Sequence, residues 1–141
     1  DWLEVLVARA VSNACPDLSE QELMTGAQIR RNDASNELDV IYMLNNAPRV
    51  IECKTVLERG FFDDTVYKLS TLRNSFGLTA RSAIVALHLG LNLVEPDGSG
   101  IRSSRMDRLR SLEIPFFHLP GPDLELLFRQ IRAWEGDQNK D

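Results

Sequence analysis

Three charged residues in this sequence form a set that is suited to metal-dependent catalysis. Asp39, Glu52 and Lys54 each lie in a segment rich in Val, Ile, Leu or Tyr, a composition typical of a β strand. Two carboxylates side by side repel each other, and a divalent cation relieves this repulsion because hard cations prefer oxygen ligands. A neighbouring lysine can orient a metal-bound water or stabilise developing negative charge. The set is suited to hydrolysis of a phosphodiester bond.

A predicted β hairpin would bring these three side chains to one face. Residues 37–44 and 49–54 predict its strands, and the Asn-Asn pair after residue 44 predicts its turn because asparagine tolerates a positive φ. With a two-residue turn Asp39 lies directly opposite Glu52, and Lys54 projects from the same face because strand side chains alternate. The opposite face is expected to belong to the core and carries Leu38, Val40, Tyr42, Ile51 and Cys53.

The same pattern has a purely structural interpretation. A Glu-x-Lys sequence occurs by chance in many strands, and an Asp and a Glu on a solvated sheet face are common. Ile41 and Val50 share the charged face, which indicates that this face is at least partly buried. Glu4 borders the apolar stripe of the first predicted helix and would join the carboxylates if that helix packs on the charged face. Glu37 is expected near Lys54, as its ion-pair partner or as a solvated charge.

The remaining segments predict an α/β domain that would position this hairpin. An apolar stripe with helical spacing predicts a first helix that ends at Pro16, and residues 17–24 predict a further short helix. The chain then predicts a weak strand over 27–31, a turn over 32–36, the hairpin, a helix from an Asp63-Asp64 cap to Gly77, a strand over 81–88, a loop over 90–100, a helix over 102–112, a strand over 114–118 and a helix after Pro120. The order α-β-β-β-α-β-α-β-α predicts a mixed sheet of about five strands with helices on both faces.

Length and composition describe one globular domain. The 141 residues, 43% hydrophobic and 26% charged, predict a single domain over 1–135 and a polar tail over 136–141. No apolar stretch is long enough to cross a membrane, and Cys15 and Cys53 are expected to be reduced thiols, so the sequence predicts a cytoplasmic protein. The net charge of −5 counts mildly against nucleic-acid binding. Because the chain begins at Asp1 within a predicted helix, we expect a fragment of a longer protein.

The charged motifs resemble those of the PD-(D/E)XK nucleases, whose core has the order α-β-β-β-α-β. More narrowly, they resemble the nuclease domain of CRISPR ancillary nucleases, in which an N-terminal CARF domain senses cyclic oligoadenylate and the C-terminal domain cuts nucleic acid. The resemblance extends from Trp2 to about Ile114 and rests on Trp2-Leu3-Glu4, Asn36-Glu37-Leu38-Asp39-Val40, Ile51-Glu52-Cys53-Lys54-Thr55 and Tyr67-Lys68-Leu69. One departure is Phe76-Gly77, where the family often has Gly-Gly, and it affects a turn rather than an acid.

This resemblance implies a restriction-endonuclease-like fold and a metal-dependent endonuclease. It implies that Glu4, Asp39 and Glu52 hold Mg²⁺ or Mn²⁺ together with the carbonyl of Cys53, and that Lys54 positions the attacking water. It also implies cleavage of single-stranded RNA or DNA, or nicking of duplex DNA, and a homodimer as the assembly. Cyclic oligoadenylate would act only through a sensor domain outside this sequence.

Four basic residues are candidate contacts for nucleic acid. Lys68 lies on the helix after the hairpin, where this superfamily often supplies an extra polar or basic group to the site, with a solvated lysine beside Leu69 as the alternative. Arg102, Arg105 and Arg108 repeat every three residues and could form a track for phosphates, with a solvated helix face as the alternative. Two alternatives for the whole domain are another PD-(D/E)XK DNA endonuclease, of the resolvase or restriction type, and a non-catalytic nucleic-acid-binding or dimerisation module on the same fold.

Overall fold

The computed structural model describes residues 1–31, 33–77 and 79–136 and shows helices and strands in the predicted order. In chain order the elements are α1 (Trp2–Ala14), a 3₁₀ helix (Glu20–Glu22), β1 (Leu23–Arg31), β2 (Ala34–Leu44), β3 (Ala47–Leu57), α2 (Arg59–Phe76), β4 (Arg81–Leu89), α3 (Ser103–Ser111), β5 (Phe116–His118) and α4 (Leu124–Gly136).

The strands form one mixed sheet, as the sequence predicts. Their spatial order is β1-β2-β3-β4-β5; β1, β2 and β3 pair antiparallel, and β3, β4 and β5 pair parallel. Asn45 and Asn46 have φ angles of 53° and 62° and form the two-residue turn between β2 and β3. Leu44 therefore pairs with Ala47, which confirms the predicted register from the turn to Val40 and Ile51; the predicted direct pair of Asp39 with Glu52 does not form among the described residues.

Helices cover both faces of the sheet and divide the apolar core into two parts. The first part lies under α1 and α4 and includes Leu3, Val7, Val40, Tyr42, Ile51, Val85, Leu127 and Ile131. The second part lies under α2 and α3 and includes Val50, Phe62, Val66, Leu69, Ile84, Ala86 and Leu109. Because strand side chains alternate, Ile51 and Cys53 face α1, whereas Val50 and Glu52 face α2.

Glu4 would join the carboxylates only if the first helix packed on the charged face of the hairpin. Helix α1 packs on the face that carries Ile51 and Cys53, not on the face that carries Glu52. The apolar stripe of α1 buries more apolar surface against the apolar face of the hairpin, and α2 covers the charged face.

The prediction that Leu38 shares a face of the hairpin with Val40 is wrong. Leu38 lies in the second core part, under α2, and not with Val40 on the face of α1. Gly26, between the paired positions Thr25–Val40 and Ala27–Leu38, has a φ of 61° that glycine adopts without strain. The β1–β2 ribbon therefore turns at this point, so that residues two apart on β2 contact different helices.

The predicted start of the second helix is also wrong. Helix α2 begins at Arg59 rather than at an Asp63-Asp64 cap, because Phe62 lies on its buried stripe with Val66 and Leu69. β1 likewise begins earlier than predicted, at Leu23, and the helix expected over 17–24 is reduced to the 3₁₀ turn.

The C-terminal boundary differs slightly from the predicted one. Gly136 is the last residue of α4, and residues 137–141 of the predicted polar tail lie outside the described residues. Within the described ranges, the helices are too short or too polar to cross a lipid bilayer.

Candidate active site

The hairpin opens at Asp39, and this opening creates the site. The pairing of β2 with β3 extends from the turn only as far as Val40 and Ile51. Beyond that pair, the backbone N–H of Cys53 donates a hydrogen bond of 2.8 Å to Oδ2 of Asp39. A carboxylate oxygen thus replaces the strand partner that a buried N–H requires. This hydrogen bond holds the Asp39 side chain against β3, beside Glu52.

Glu52 is a buried carboxylate with an incomplete set of partners. The residue is 1% exposed, and Nζ of Lys68 lies 2.8 Å from its Oε1. Within the described ranges Oε1 accepts no hydrogen bond of good geometry, so the contact with Lys68 is an ion pair. Burial, and secondly the negative charge of Asp39, raise the pKa of Glu52, although Lys68 and Lys54 act in the opposite direction. The two lysines therefore offset only part of the cost that burial imposes on the charged form of Glu52.

Lys54 lies on the face of β3 that carries Glu52. Its side chain is half-buried, and its positive charge acts on Glu52. The expected ion pair with Glu37 does not form within the described part of the chain, because the strands have separated before the two residues could face each other. Glu37 is instead exposed, as expected for a solvated charge.

Glu4 approaches from the other side of β3. It lies in the first turn of α1, and its carboxylate acts with Asp39 and Glu52 to raise the pKa of the Cys53 thiol, after burial, which is the largest cause. In the described ranges, however, no three side chains of the Asp, Glu, His or Cys type are close enough together to bind one metal ion. The ligand set implied by the resemblance is therefore only partly assembled, and the roles of Glu4 and of the Cys53 carbonyl remain predictions.

The chemistry of the two neighbouring carboxylates fits a divalent cation. Asp39 has one oxygen outside its hydrogen bond to Cys53, and Oε1 of Glu52 is buried without a hydrogen-bond donor among the described residues. Hard cations such as Mg²⁺ take oxygen ligands of this kind and complete their coordination with water. Asp39 and Glu52 are therefore the residues that could hold the metal.

The four basic candidates have different surroundings. Lys68 is held by Glu52 and by the backbone carbonyl of Glu37, to which it donates a hydrogen bond. Arg105 lies over the ring of Phe62, 5.4 Å from its centroid, and 3.4 Å from Oδ1 of Asp63. Its side chain is only 17% exposed, which favours a structural role.

The other two arginines of α3 are more accessible. Arg108 lies 3.3 Å from the same Asp63 oxygen, but about half of its side chain is exposed. Arg102 is exposed at the N-terminal cap of α3. Arg102 and Arg108 therefore remain candidates for phosphate contacts, whereas the regular three-residue track is interrupted at Arg105.

Two features outside this site were not predicted from the sequence. A buried polar cluster joins β2, β3 and α4: the Tyr42 hydroxyl donates to Oε1 of Glu135 over 2.7 Å, and Arg49 Nε lies 3.2 Å from the same oxygen. A cavity of about 370 Å³ lies at the N-terminal end of β4, beside Arg73, and its lining includes none of the candidate active-site residues. Tyr42 was expected in the core, but no local pattern reveals its partner 93 residues away.

Comparisons with known proteins identify the family and the fold. The model of a family described as "Card1-like, endonuclease domain" matches residues 1–112. Protein VC1899 from Vibrio cholerae is 31% identical over 94% of this chain, with a TM-score of 0.70. Can2 from Sulfobacillus thermosulfidooxidans, solved in complex with cyclic tetra-adenylate, is 21% identical over 96% of the chain, with a TM-score of 0.67.

A repair endonuclease from Pyrococcus abyssi shares the fold, with a TM-score of 0.51 and 16% identity; 82% of this chain and 46% of that protein are covered. No curated protein matches the chain. The chain covers 33% of VC1899 and 37% of Can2, so it spans about a third of their length. The predicted restriction-endonuclease-like fold is thus confirmed, as is the resemblance to the PD-(D/E)XK nucleases and their CRISPR-associated members.

Proposed function

The chain belongs to the Card1-like endonuclease domain family, and from this membership we propose that it is the divalent-metal-dependent nuclease domain of a CRISPR-associated defence protein activated by cyclic oligoadenylate. A nuclease role follows from the family itself. The observation that supports metal dependence is the buried Glu52 carboxylate, which lies beside Asp39 and has fewer partners than its burial demands.

In this proposal the residues of the chain have separate tasks. Asp39, held by the Cys53 N–H, and Glu52 present oxygens to Mg²⁺ or Mn²⁺. Glu4, which approaches from the other side of β3, and the Cys53 carbonyl are the further ligands that the resemblance implies. The cation, when bound, activates water and stabilises negative charge on the phosphate. Lys54 reaches the same face from β3, where its ammonium orients the attacking water and stabilises the charge that develops on the phosphodiester.

The substrate that we propose is nucleic acid: single-stranded RNA or DNA, which the enzyme cuts, or duplex DNA, in which it nicks one strand. The net charge of −5 is compatible with this because attraction depends on local potential, and the acids gather where a cation would lie. We propose a cytoplasmic homodimer for the whole protein. Since relatives such as Can2 are about three times as long, cyclic oligoadenylate would bind outside this chain.

A cleavage assay on the intact protein tests the proposal. Labelled single-stranded RNA, single-stranded DNA and supercoiled plasmid are incubated with Mn²⁺ or with EDTA, with and without cyclic tetra-adenylate. We expect cleavage that requires Mn²⁺ and is lost in Glu52→Ala and in Asp39→Ala, while Glu125→Ala, an exposed substitution on α4, stays active.

The outcomes separate the alternatives. Cleavage by Glu52→Ala, in a preparation free of contaminating nuclease, would refute the site assignment. Activator-independent cleavage confined to duplex DNA would favour a resolvase or restriction-type enzyme. Binding of nucleic acid without cleavage under any condition would favour the non-catalytic module.

A further inference from the structure

Lys68 connects three elements at the point where the hairpin opens. It lies on α2, its side chain is 24% exposed, and its Nζ lies 2.8 Å from Oε1 of Glu52 on β3. The same ammonium donates a hydrogen bond to the backbone carbonyl of Glu37 on β2. One side chain therefore bridges the two strands that have separated from each other, and it does so through a buried carboxylate oxygen.

The carboxylate that Lys68 contacts is also one of the two that we propose as metal ligands. Oε1 of Glu52 is buried and accepts no hydrogen bond in the described ranges, so the Lys68 ammonium is its nearest counter-charge. A cation bound to Oε1 would lie within a few ångströms of Nζ, where two positive charges repel strongly because a buried site is poorly screened. The ammonium and a divalent cation therefore compete for the same carboxylate.

The Lys68 ammonium keeps other hydrogen-bond partners when it moves away from Glu52. The Glu37 carbonyl already accepts from it and belongs to the exposed part of β2, and the partly exposed stem leaves the ammonium within reach of water. Withdrawal from Glu52 would thus not strand a buried charge.

We propose that Lys68 is a built-in competitor of the metal: it neutralises Glu52 in the metal-free protein and withdraws from Oε1 when a divalent cation binds. This inference rests on the proposed metal-dependent function and deepens it. It makes Lys68 a positioning residue that sets the metal affinity of the site, in place of the contact with nucleic acid that its position on α2 had indicated.

The test measures Mn²⁺ binding by isothermal titration calorimetry on the intact protein without nucleic acid. Lys68→Met removes the ammonium and keeps the length of the stem. We expect its Kd for Mn²⁺ to fall by about tenfold, within the range typical of coupled binding events. Lys68→Arg retains the positive charge and should bind Mn²⁺ no more tightly than the parent. Arg59→Met is the matched control, because it removes one positive charge from the exposed start of α2, and its Kd should equal that of the parent.

Each outcome supports or overturns a defined statement. If the parent binds no Mn²⁺, the proposed function fails, and this inference fails with it. If the parent binds Mn²⁺, Glu52→Gln abolishes binding, and Lys68→Met binds equally or more weakly, only the competition is overturned. Weaker binding of nucleic acid by Lys68→Met, with an unchanged Kd for Mn²⁺, would return Lys68 to the role of a substrate contact and overturn the competition.

A second measurement does not depend on the folding of a variant. The ¹⁵N-labelled ammonium of Lys68 can be followed by NMR in the parent protein during titration with diamagnetic Mg²⁺, and its signal is assigned by its loss in Lys68→Arg. We expect a saturable change in the chemical shift of Nζ. An ammonium signal that stays constant while backbone signals of Asp39 and Glu52 shift would overturn the proposal.

Discussion

Replacing Glu52 by glutamine should stabilise the protein without metal and remove its response to metal. The change keeps the shape of the side chain and removes a charge that is buried beside Asp39. Because the pKa of Glu52 is raised in the folded state, folding favours its neutral form, and a permanently neutral side chain escapes that cost. We expect the free energy of unfolding in EDTA to rise by about 1 kcal/mol, a common size for such a gain.

These energies convert into melting temperatures. The entropy of unfolding is about 2.1 cal/mol/K per residue, so for 141 residues 1 kcal/mol corresponds to about 3 °C. A cation that binds only the folded form, at a hundredfold excess over its Kd, adds about 2.7 kcal/mol. The parent should therefore gain about 9 °C from Mn²⁺, while Glu52→Gln should lose most of this gain.

Thermal melts of the parent and of Glu52→Gln, in EDTA and in Mn²⁺, test both expected shifts in melting temperature. Glu125→Gln is the matched control, because the same change at an exposed residue of α4 should leave both melting temperatures within about 1–2 °C of the parent. A Glu52→Gln variant that melts lower than the parent in EDTA and gains as much from Mn²⁺ would contradict both expectations. Glu52 would then be structural, and the metal would bind elsewhere.

The pH dependence provides an internal check with a defined sign. A carboxyl whose pKa is raised on folding binds its proton more tightly in the folded state, so its contribution to stability falls as the pH rises through the interval above the ordinary value of 4.5. Below that value Glu52 is protonated in both states. The advantage of Glu52→Gln over the parent in EDTA should therefore be largest near neutral pH and disappear in acid.

Three further predictions concern the surrounding residues. Lys54→Ala should lose cleavage and still bind Mn²⁺ in a calorimetric titration; loss of binding together with unfolding would instead make Lys54 structural. Neutralising Arg102 or Arg108 should weaken nucleic-acid binding and reduce the slope of log affinity against log salt by roughly one unit or less, and an unchanged slope would assign both residues to a solvated face. Tyr42→Phe should lower the free energy of unfolding in urea by about 1–3 kcal/mol because Glu135 loses a buried donor; an unchanged value would mean that Arg49 alone satisfies this carboxylate.

Local rules explain why the hairpin could be predicted in detail. The Asn-Asn turn depends only on the tolerance of asparagine for positive φ, and the two residues adopt φ angles of 53° and 62°. Once the turn has two residues, the register follows, and the period of two along β3 places Glu52 and Lys54 on one face. None of these steps requires knowledge of the rest of the chain.

The errors arise where distant parts of the chain meet. Periodicity shows that α1 has an apolar face but not which side of the sheet will bury it, and only the competition with α2 for the two faces decides this. The predicted helix start at Asp63 failed for the same reason: Asp63 is a good cap by type, but Phe62 must reach the core and Asp63 pairs with arginines of α3.

Local patterns were thus sufficient for the order of the elements and for the hairpin with its charged residues, because each pattern depends on neighbours along the chain. The tertiary structure alone decided how β2 leaves β3 at Asp39, which face Glu4 approaches from, and that Lys68 is the ion-pair partner of Glu52. Those features depend on how the twisted ribbon, α1 and α2 divide the available apolar area. Burial is a property of the whole fold, and burial is the largest cause of the raised pKa of Glu52.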